Sequence, residues 1–242
     1  MWSTIWHFFF FDPVYNGLIF FIDALPHGDV GIAVILITVV VKLILFPLSI
    51  KAAKTQKVIK EIEPKIKEIK TAITDKQEQA RAIMALYKDS GINPFASILV
   101  LFIQIPIVFA LYLSVYSGGG VVLPAINTSI LFSFIPEPET VSMLFLGMLD
   151  ITQRSLPLAL LAGVFQFIHG YLAFPPIAPK KDGEAPSMKD EFARSLNVQM
   201  KYILPVIIGG LAYSLSAIIA IYFIVSSLAA ITQELLIRKH KV

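Results

Sequence analysis

Cysteine is absent from the 242 residues, which excludes a disulfide framework, a thiolate metal site and a cysteine nucleophile. Charge is scarce as well. Only 15% of residues are Asp, Glu, Lys or Arg, against about 25% in a soluble globular chain. With 56% apolar residues and a mean hydropathy of +0.75, the chain lacks the polar surface that a water-soluble domain needs. The four histidines, His7, His27, His169 and His240, show no metal-ligand spacing. No basic stretch followed by a small-residue cleavage site marks a secretory signal. A net charge of +3 gives no sign of nucleic-acid binding, and neither a nucleic-acid site nor a cofactor is expected.

Long apolar runs are what the chain has instead. Residues 30–50 carry one charge, Lys42; residues 94–116 and 155–174 carry none; residues 202–237 carry only Glu234. A spanning helix needs about 20 such residues, because it rises 1.5 Å per residue through about 30 Å of hydrocarbon. The last run would reach about 54 Å as one helix, and cations flank both its ends, so it divides into two helices near Ser214–Ala217. The expected fold is all-α, a polytopic membrane protein with five transmembrane helices at 29–50, 93–116, 154–174, 201–216 and 217–237. A helical hairpin at 51–92, an outer loop at 117–153, an inner loop at 175–200 and a tail at 238–242 complete it.

Orientation follows from where the cations sit. Ten of the 20 lie in 51–89, five in 175–201 and three from Arg238 onward, whereas the opposite side holds only Arg154. The N-terminus is therefore expected outside and the C-terminus in the cytoplasm. Within 1–28, Asp12–Pro13 reads as a helix start, and Val14, Leu18, Phe21 and Leu25 form a stripe that suits an interfacial amphipathic helix, with Trp2 and Trp6 at headgroup level. A sixth span is the alternative, and it would reverse the charge rule.

The hairpin is a different kind of sequence. Ile59, Ile62, Ile66, Ile69 and Ile73 repeat at helical spacing on a lysine-rich background, which gives one apolar seam. Pro64 is expected to kink this helix. Thr74 with Gln77, or Asp75 with Glu78, suits a capping box opening a second helix, whose facing stripe is Ala80, Ile83 and Tyr87. A solvated connector and a docking surface for a cytosolic partner are both consistent with this pattern, and a basic amphipathic surface also suits anionic headgroups.

Lys42 is the main functional candidate. A lysine inside a span costs about 2.5–3.5 kcal/mol on insertion scales, so it requires a hydrated cavity or a route to the interface. Thr38, Lys42 and Ser49 share a helix face. Ser97 and Gln104, Gln166 and His169, and Ser226, Ser227, Thr232 and Gln233 add polar groups from other spans. Such residues serve either as interhelical hydrogen-bond glue or, with Lys42, as the lining of a hydrophilic groove. No carboxylate lies deep in a span to pair with Lys42, which favours hydration and argues against a proton relay.

Met84–Lys88, Asn93–Pro94, Gln104–Ile107 and Ala110–Tyr112, together with Gly31–Ile35, Phe46–Leu48, Glu63–Ile66 and Tyr222–Ser226, resemble the YidC/Oxa/Alb membrane protein insertases over nearly the whole chain from about residue 13. The resemblance implies five core helices around a groove open to the cytoplasm and to lipid and closed on the outer side. It implies insertion of nascent membrane protein clients in a bacterial cytoplasmic membrane, without a cofactor, alone or beside the Sec translocon. Lys42 stands where most members carry the groove arginine, with Thr38, Ser97, Gln104 and Gln166 as lining groups and Tyr222 and Phe223 in the client-contact region. The hairpin, with Pro64 and Tyr87, resembles the segment for client hand-off. Some features depart from the family. Lysine lacks the planar fork of arginine, Ser216–Ala217 replaces the usual Pro-Gly pair, no large outer domain is expected, and with a short tail ribosome contact is expected to be weak and confined to the cytoplasmic loops. The alternative class is a small transporter or channel; an enzyme is not expected, because no nucleophile and base pairing is displayed.

Overall fold

Helices dominate the computed structural model, which describes residues 2–93, 96–117, 120–173, 195 and 197–239. The first are α1 (Trp2–Trp6) and α2 (Asp12–Ala24), joined through a π turn at His7–Phe11. The expected helix start at Asp12–Pro13 falls inside a continuous helical path, in which Phe11 and Asp12 are right-handed helical and the Asp12 N–H donates to His7 O, so the π turn sits where Pro13 brings no donor. Next come α3 (Val30–Glu61), α4 (Glu63–Ala72), α5 (Lys76–Asp89) and α6 (Ala96–Tyr116). A short hairpin of β1 (Leu144–Phe145) and β2 (Leu149–Asp150) precedes α7 (Leu156–Ala173). A second π turn at Gln199–Ile203 leads into α8 (Leu204–Leu215), and α9 (Ala217–Lys239) closes the chain.

Among the described residues, four stretches of helix are long and apolar enough to cross a bilayer: Ser3–Ala24, Val30–Thr55, Leu156–Ala173 and Ala217–Ile237. Phe102–Tyr116 in α6 is a shorter apolar stretch, and α8 has 12 residues. Ser3–Ala24 thus qualifies by length and composition where the sequence suggests an interfacial helix. Its buried face is also wider than the expected stripe: Tyr15, Asn16, Ile19 and Ile22 are buried beside Val14 and Leu18, whereas Phe21 and Leu25 are half-buried.

The chain divides into two compact units, one of Met1–Lys42 and Ile107–Lys241 and the other of Leu43–Pro106. In the first, α2, the start of α3, the end of α6 and the start of α9 bury Tyr15, Leu18, Val34, Leu111, Val115, Ile218 and Ile219 around one core. The 117–153 loop is tied onto this core by hydrogen bonds. Asn16 Nδ2 donates to Ile130 O at 2.9 Å, and the Tyr15 hydroxyl accepts the Asn127 N–H at 2.9 Å. Asp29 caps α3 by accepting the Ile32 N–H at 3.0 Å, and its second oxygen accepts the Leu146 N–H at 2.7 Å. At Ser216 the backbone is extended, φ −174 and ψ 168, which separates α8 from α9. The Ala217 and Ile218 N–H groups then donate to Gln153 O and Ile151 O at 2.8 and 3.1 Å.

Small residues bring α7 and α8 together. A Cβ added at Gly163 would lie 3.3 Å from Pro205 O, and one at Gly209 would lie 3.4 Å from Ala159 O. Buried Ala159, Ala162 and Ala212 continue the seam. Close backbone approach through such residues is how helices associate where lipid offers no hydrophobic drive.

The second unit contains the helical hairpin. The expected kink is a helix break. Ile62, at φ −90 and ψ 0, separates α3 from α4, and Pro64 falls in the first turn of α4, a position that suits proline. Of the two capping choices, the chain uses Asp75, whose carboxylate accepts the Gln77 and Glu78 N–H groups at 2.7 and 2.8 Å. Ala80, expected in the facing stripe, is exposed. Gln79 turns inward in its place, its Nε2 donating to Lys70 O and Ile73 O at 3.0 and 3.1 Å, so it satisfies carbonyls that the end of α4 leaves without helical partners. Ile66 is buried, and Ile83 and Tyr87 are half-buried.

Candidate functional site

The candidate site of the first unit is built on α3. Val34, Thr38 and Lys42 follow one another at intervals of four residues, and so lie one above the other on a single helix face. Thr38 is buried, and its hydroxyl donates to Val34 O at 2.6 Å. That bond commits the hydroxyl proton to its own helix and leaves the oxygen as an acceptor. Thr38 and Tyr222 face a narrow crevice with Val14, Ile37, Val41, Ile107 and Leu111; its free volume of about 10 Å³ is room for about one water molecule. Tyr222 is buried in α9, with the half-buried Phe223 ring edge-on to it at 5.4 Å.

Lys42 comes one turn later and is half-buried. His169 of α7 lies within electrostatic reach of its ammonium. Gln166 precedes His169 by three residues and so shares its face. The Gln166 Oε1 accepts a hydrogen bond from Ser227 Oγ of α9 at 3.0 Å, and Ser226 and Ser227 are both buried. Polar groups of α3, α7 and α9 thus occupy one apolar unit, and the α7–α9 contact is direct hydrogen-bond glue.

Other expected positions fall elsewhere. Gln104 belongs to the second unit, half-buried on α6 two residues before Pro106. Pro64 and Tyr87 are on the hairpin. The side chain of Ser97, Pro94 and most of the 175–200 loop lie outside the described residues. Among the described residues, no group of three or more His, Cys, Asp or Glu is placed to hold a metal ion.

Three features were not singled out from the sequence. Asn16 is an interruption in an apolar run, yet it is 1% exposed and fully engaged; an amide in such a run must find partners, which is the signal that marks it. Asp29 reads as an ordinary helix cap, and nothing local announces its second bond to Leu146. Lys201, expected as a flanking cation, is buried with its Nζ 5.3 Å from the centre of the Tyr171 ring, an arrangement in which the ring face stabilises the charge.

Residues 21–242 match a model of the family described as 60Kd inner membrane protein. Among curated proteins, the chain is 29% identical over 242 residues to the membrane protein insertase YidC of Oceanobacillus iheyensis, covering 97% of this chain and 84% of that one. It is 32% identical over 215 residues to the membrane protein insertase YidC of Clostridium tetani, covering 88% and 84%. Among solved structures, an active YidC insertase with its first transmembrane domain resolved superposes with a TM-score of 0.56 at 22% identity, over 92% of this chain. The present chain spans 45% of that longer protein, and the likeness is one of fold.

Proposed function

The chain belongs to the 60Kd inner membrane protein family, and from that premise we propose that it is a membrane protein insertase of the YidC kind, which works through an intramembrane polar surface centred on Lys42. The half-buried ammonium within the apolar part of α3 carries this reading. A cation there is costly without water or polar neighbours; His169 of α7 lies within its electrostatic reach, and the Gln166–Ser227 hydrogen bond adds polar groups of α7 and α9 to the same unit. Membership displaces the transporter or channel alternative.

The mechanism is thermodynamic. A hydrated cationic surface at Lys42, opening to the cytoplasm, gives the polar outer segment of a client a halfway site and shortens the apolar distance it must cross. The client's own apolar helix then leaves sideways into lipid, driven by burial of its surface. Lys42 attracts acidic client residues, Tyr222 and Phe223 contact the departing helix, and the hairpin receives clients from the cytosolic side, with weak ribosome contact through the loops. The Sec translocon is an optional partner. The N-terminus lies outside, with Ser3–Ala24 at the outer interface, and the C-terminus lies in the cytoplasm, as 18 of the 20 cations support.

The test uses Lys42→Ala and Lys42→Arg, with insertion of a short single-span client bearing an acidic N-terminal tail as the readout. Alanine is expected to lower insertion about tenfold, the effect of some 1.4 kcal/mol, and arginine to retain it. Unchanged insertion with alanine removes the electrostatic role of Lys42.

A further inference from the structure

The β1–β2 hairpin presents an exposed apolar tip. Leu144, Leu146 and Met148 are 47%, 58% and 83% exposed. Phe145, between them, turns inward onto Gly31, where an added Cβ would lie 2.5 Å from the ring. No charged residue lies between Glu139 and Asp150. Backbone geometry makes this choice of side chains unfavourable in water. Leu146 has φ 53 and Gly147 φ 70, the pair of left-handed residues of a type I′ turn, closed by the Met148 N–H donating to Phe145 O at 3.1 Å. Asn, Asp or Gly suits the first of these positions and leucine does not. A leucine held there with its side chain turned out of the protein points to compensation from its surroundings.

Position identifies those surroundings. The Asp29 carboxylate holds the Leu146 N–H with one oxygen and the first turn of α3 with the other, so the hairpin tip and the start of α3 sit at one level. From Val30 to Ile50, α3 is uncharged apart from Lys42, a length of about 30 Å that matches the hydrocarbon thickness. That level is therefore the boundary at which α3 meets the acyl chains.

We propose that Leu144, Leu146 and Met148 insert into the acyl-chain region of the leaflet at the start of α3, making the hairpin a lipid anchor for the 117–153 loop. The loop contains no Lys or Arg, so the anchor acts by apolar burial and needs no anionic headgroup. The inference rests on α3 as a span and stands apart from the insertase reading.

Because the chain has no cysteine, Met148→Cys can be labelled at that position alone with a nitrobenzoxadiazole probe and reconstituted in phosphatidylcholine vesicles. The expected emission is blue-shifted, quenched by lipids carrying a nitroxide near the top of the acyl chain, and poorly quenched by aqueous iodide. Glu137→Cys, labelled in the same way, is expected to be water-like. Adding Leu146→Asn, which suits the left-handed turn, is expected to leave the loop equally resistant to protease and to lose most of the lipid quenching. Water-like emission at position 148, or lipid quenching unchanged by Leu146→Asn, would overturn the anchor. Blue-shifted emission insensitive to nitroxide lipids would overturn it in favour of a protein cover.

Discussion

Asn16 Oδ1 accepts the backbone N–H of Phe132 at 2.6 Å, joining residues 116 positions apart. The same side chain donates through Nδ2 to Ile130 O, so one amide replaces the partners that two backbone groups of the 117–153 loop would find in water.

Asn16→Leu keeps the branched shape of the side chain and leaves both loop groups without a side-chain partner. Stranding buried polar groups costs about 1–3 kcal/mol each, so the variant is expected to lose a few kcal/mol and to expose the loop. Limited proteolysis in detergent reports this as faster cleavage within 117–153. Asn16→Asp, which keeps the acceptor and loses the donor, should fall between Asn16→Leu and the parent.

Glycines on α7 and α8 should differ in tolerance according to the space beside them. Among the described residues, nothing lies within 4 Å of a Cβ added at Gly210, whereas Gly209 has Ala159 O at 3.4 Å and Gly170 has Met200 O at 2.8 Å. Gly210→Ala is expected to be neutral or to stabilise by up to about 1 kcal/mol through helix propensity. Gly209→Ala should be mildly destabilising and Gly170→Ala clearly so. Melting temperatures of the three variants in one detergent give the ranking, and a melt of Gly170→Ala above that of Gly210→Ala would contradict the seam.

Acid should loosen the chain at Asp150. Hydrogen bonds from the Thr152 hydroxyl and N–H hold its carboxyl below the usual carboxylate range. A depressed folded value means the stabilisation is present above the unfolded value, about 4, and is lost as pH falls through the folded one. Hydrogen exchange at the Thr152 amide is therefore expected to gain protection as pH rises through that range, after correction for the intrinsic rate. Asp150→Asn should flatten the profile.

On the hairpin, Asp75→Ala removes the cap of α5 and should cost about 1 kcal/mol. Gln79→Ala removes two bonds to the end of α4 and should fray α4 rather than α5. Amide exchange resolved by helix distinguishes the two effects, and equal fraying of both helices by either variant would contradict the assignment.

These contacts differ in how far they could be read ahead. The Asp75 cap spans two and three residues, so the sequence pattern contains both its partners. The break before α9 was legible in cations at both ends of an overlong apolar run. Gln79 was missed because residues 79 and 80 both stand one turn before Ile83, and the apolar Ala80 was the more natural member of the stripe that Ile83 and Tyr87 continue. Asn16 and Asp29 find partners more than 110 residues away, and no local pattern encodes those meetings. The glycine seam was invisible because glycine in an apolar run equally suits a bend or a close approach. At the site, Lys42 stood out through its insertion cost alone, whereas the Ser227 partner of Gln166 emerged only when α7 met α9.

The two bonds from the start of α9 to Ile151 and Gln153 have a mechanical consequence. A helix whose leading amides are stitched to a neighbouring chain segment resists turning about its axis or sliding along it, because either movement would unpick both stitches. α9, which carries Tyr222, Ser226 and Ser227, is therefore pinned at its leading end to the segment that follows the β-hairpin, and turning or sliding it costs both bonds at once.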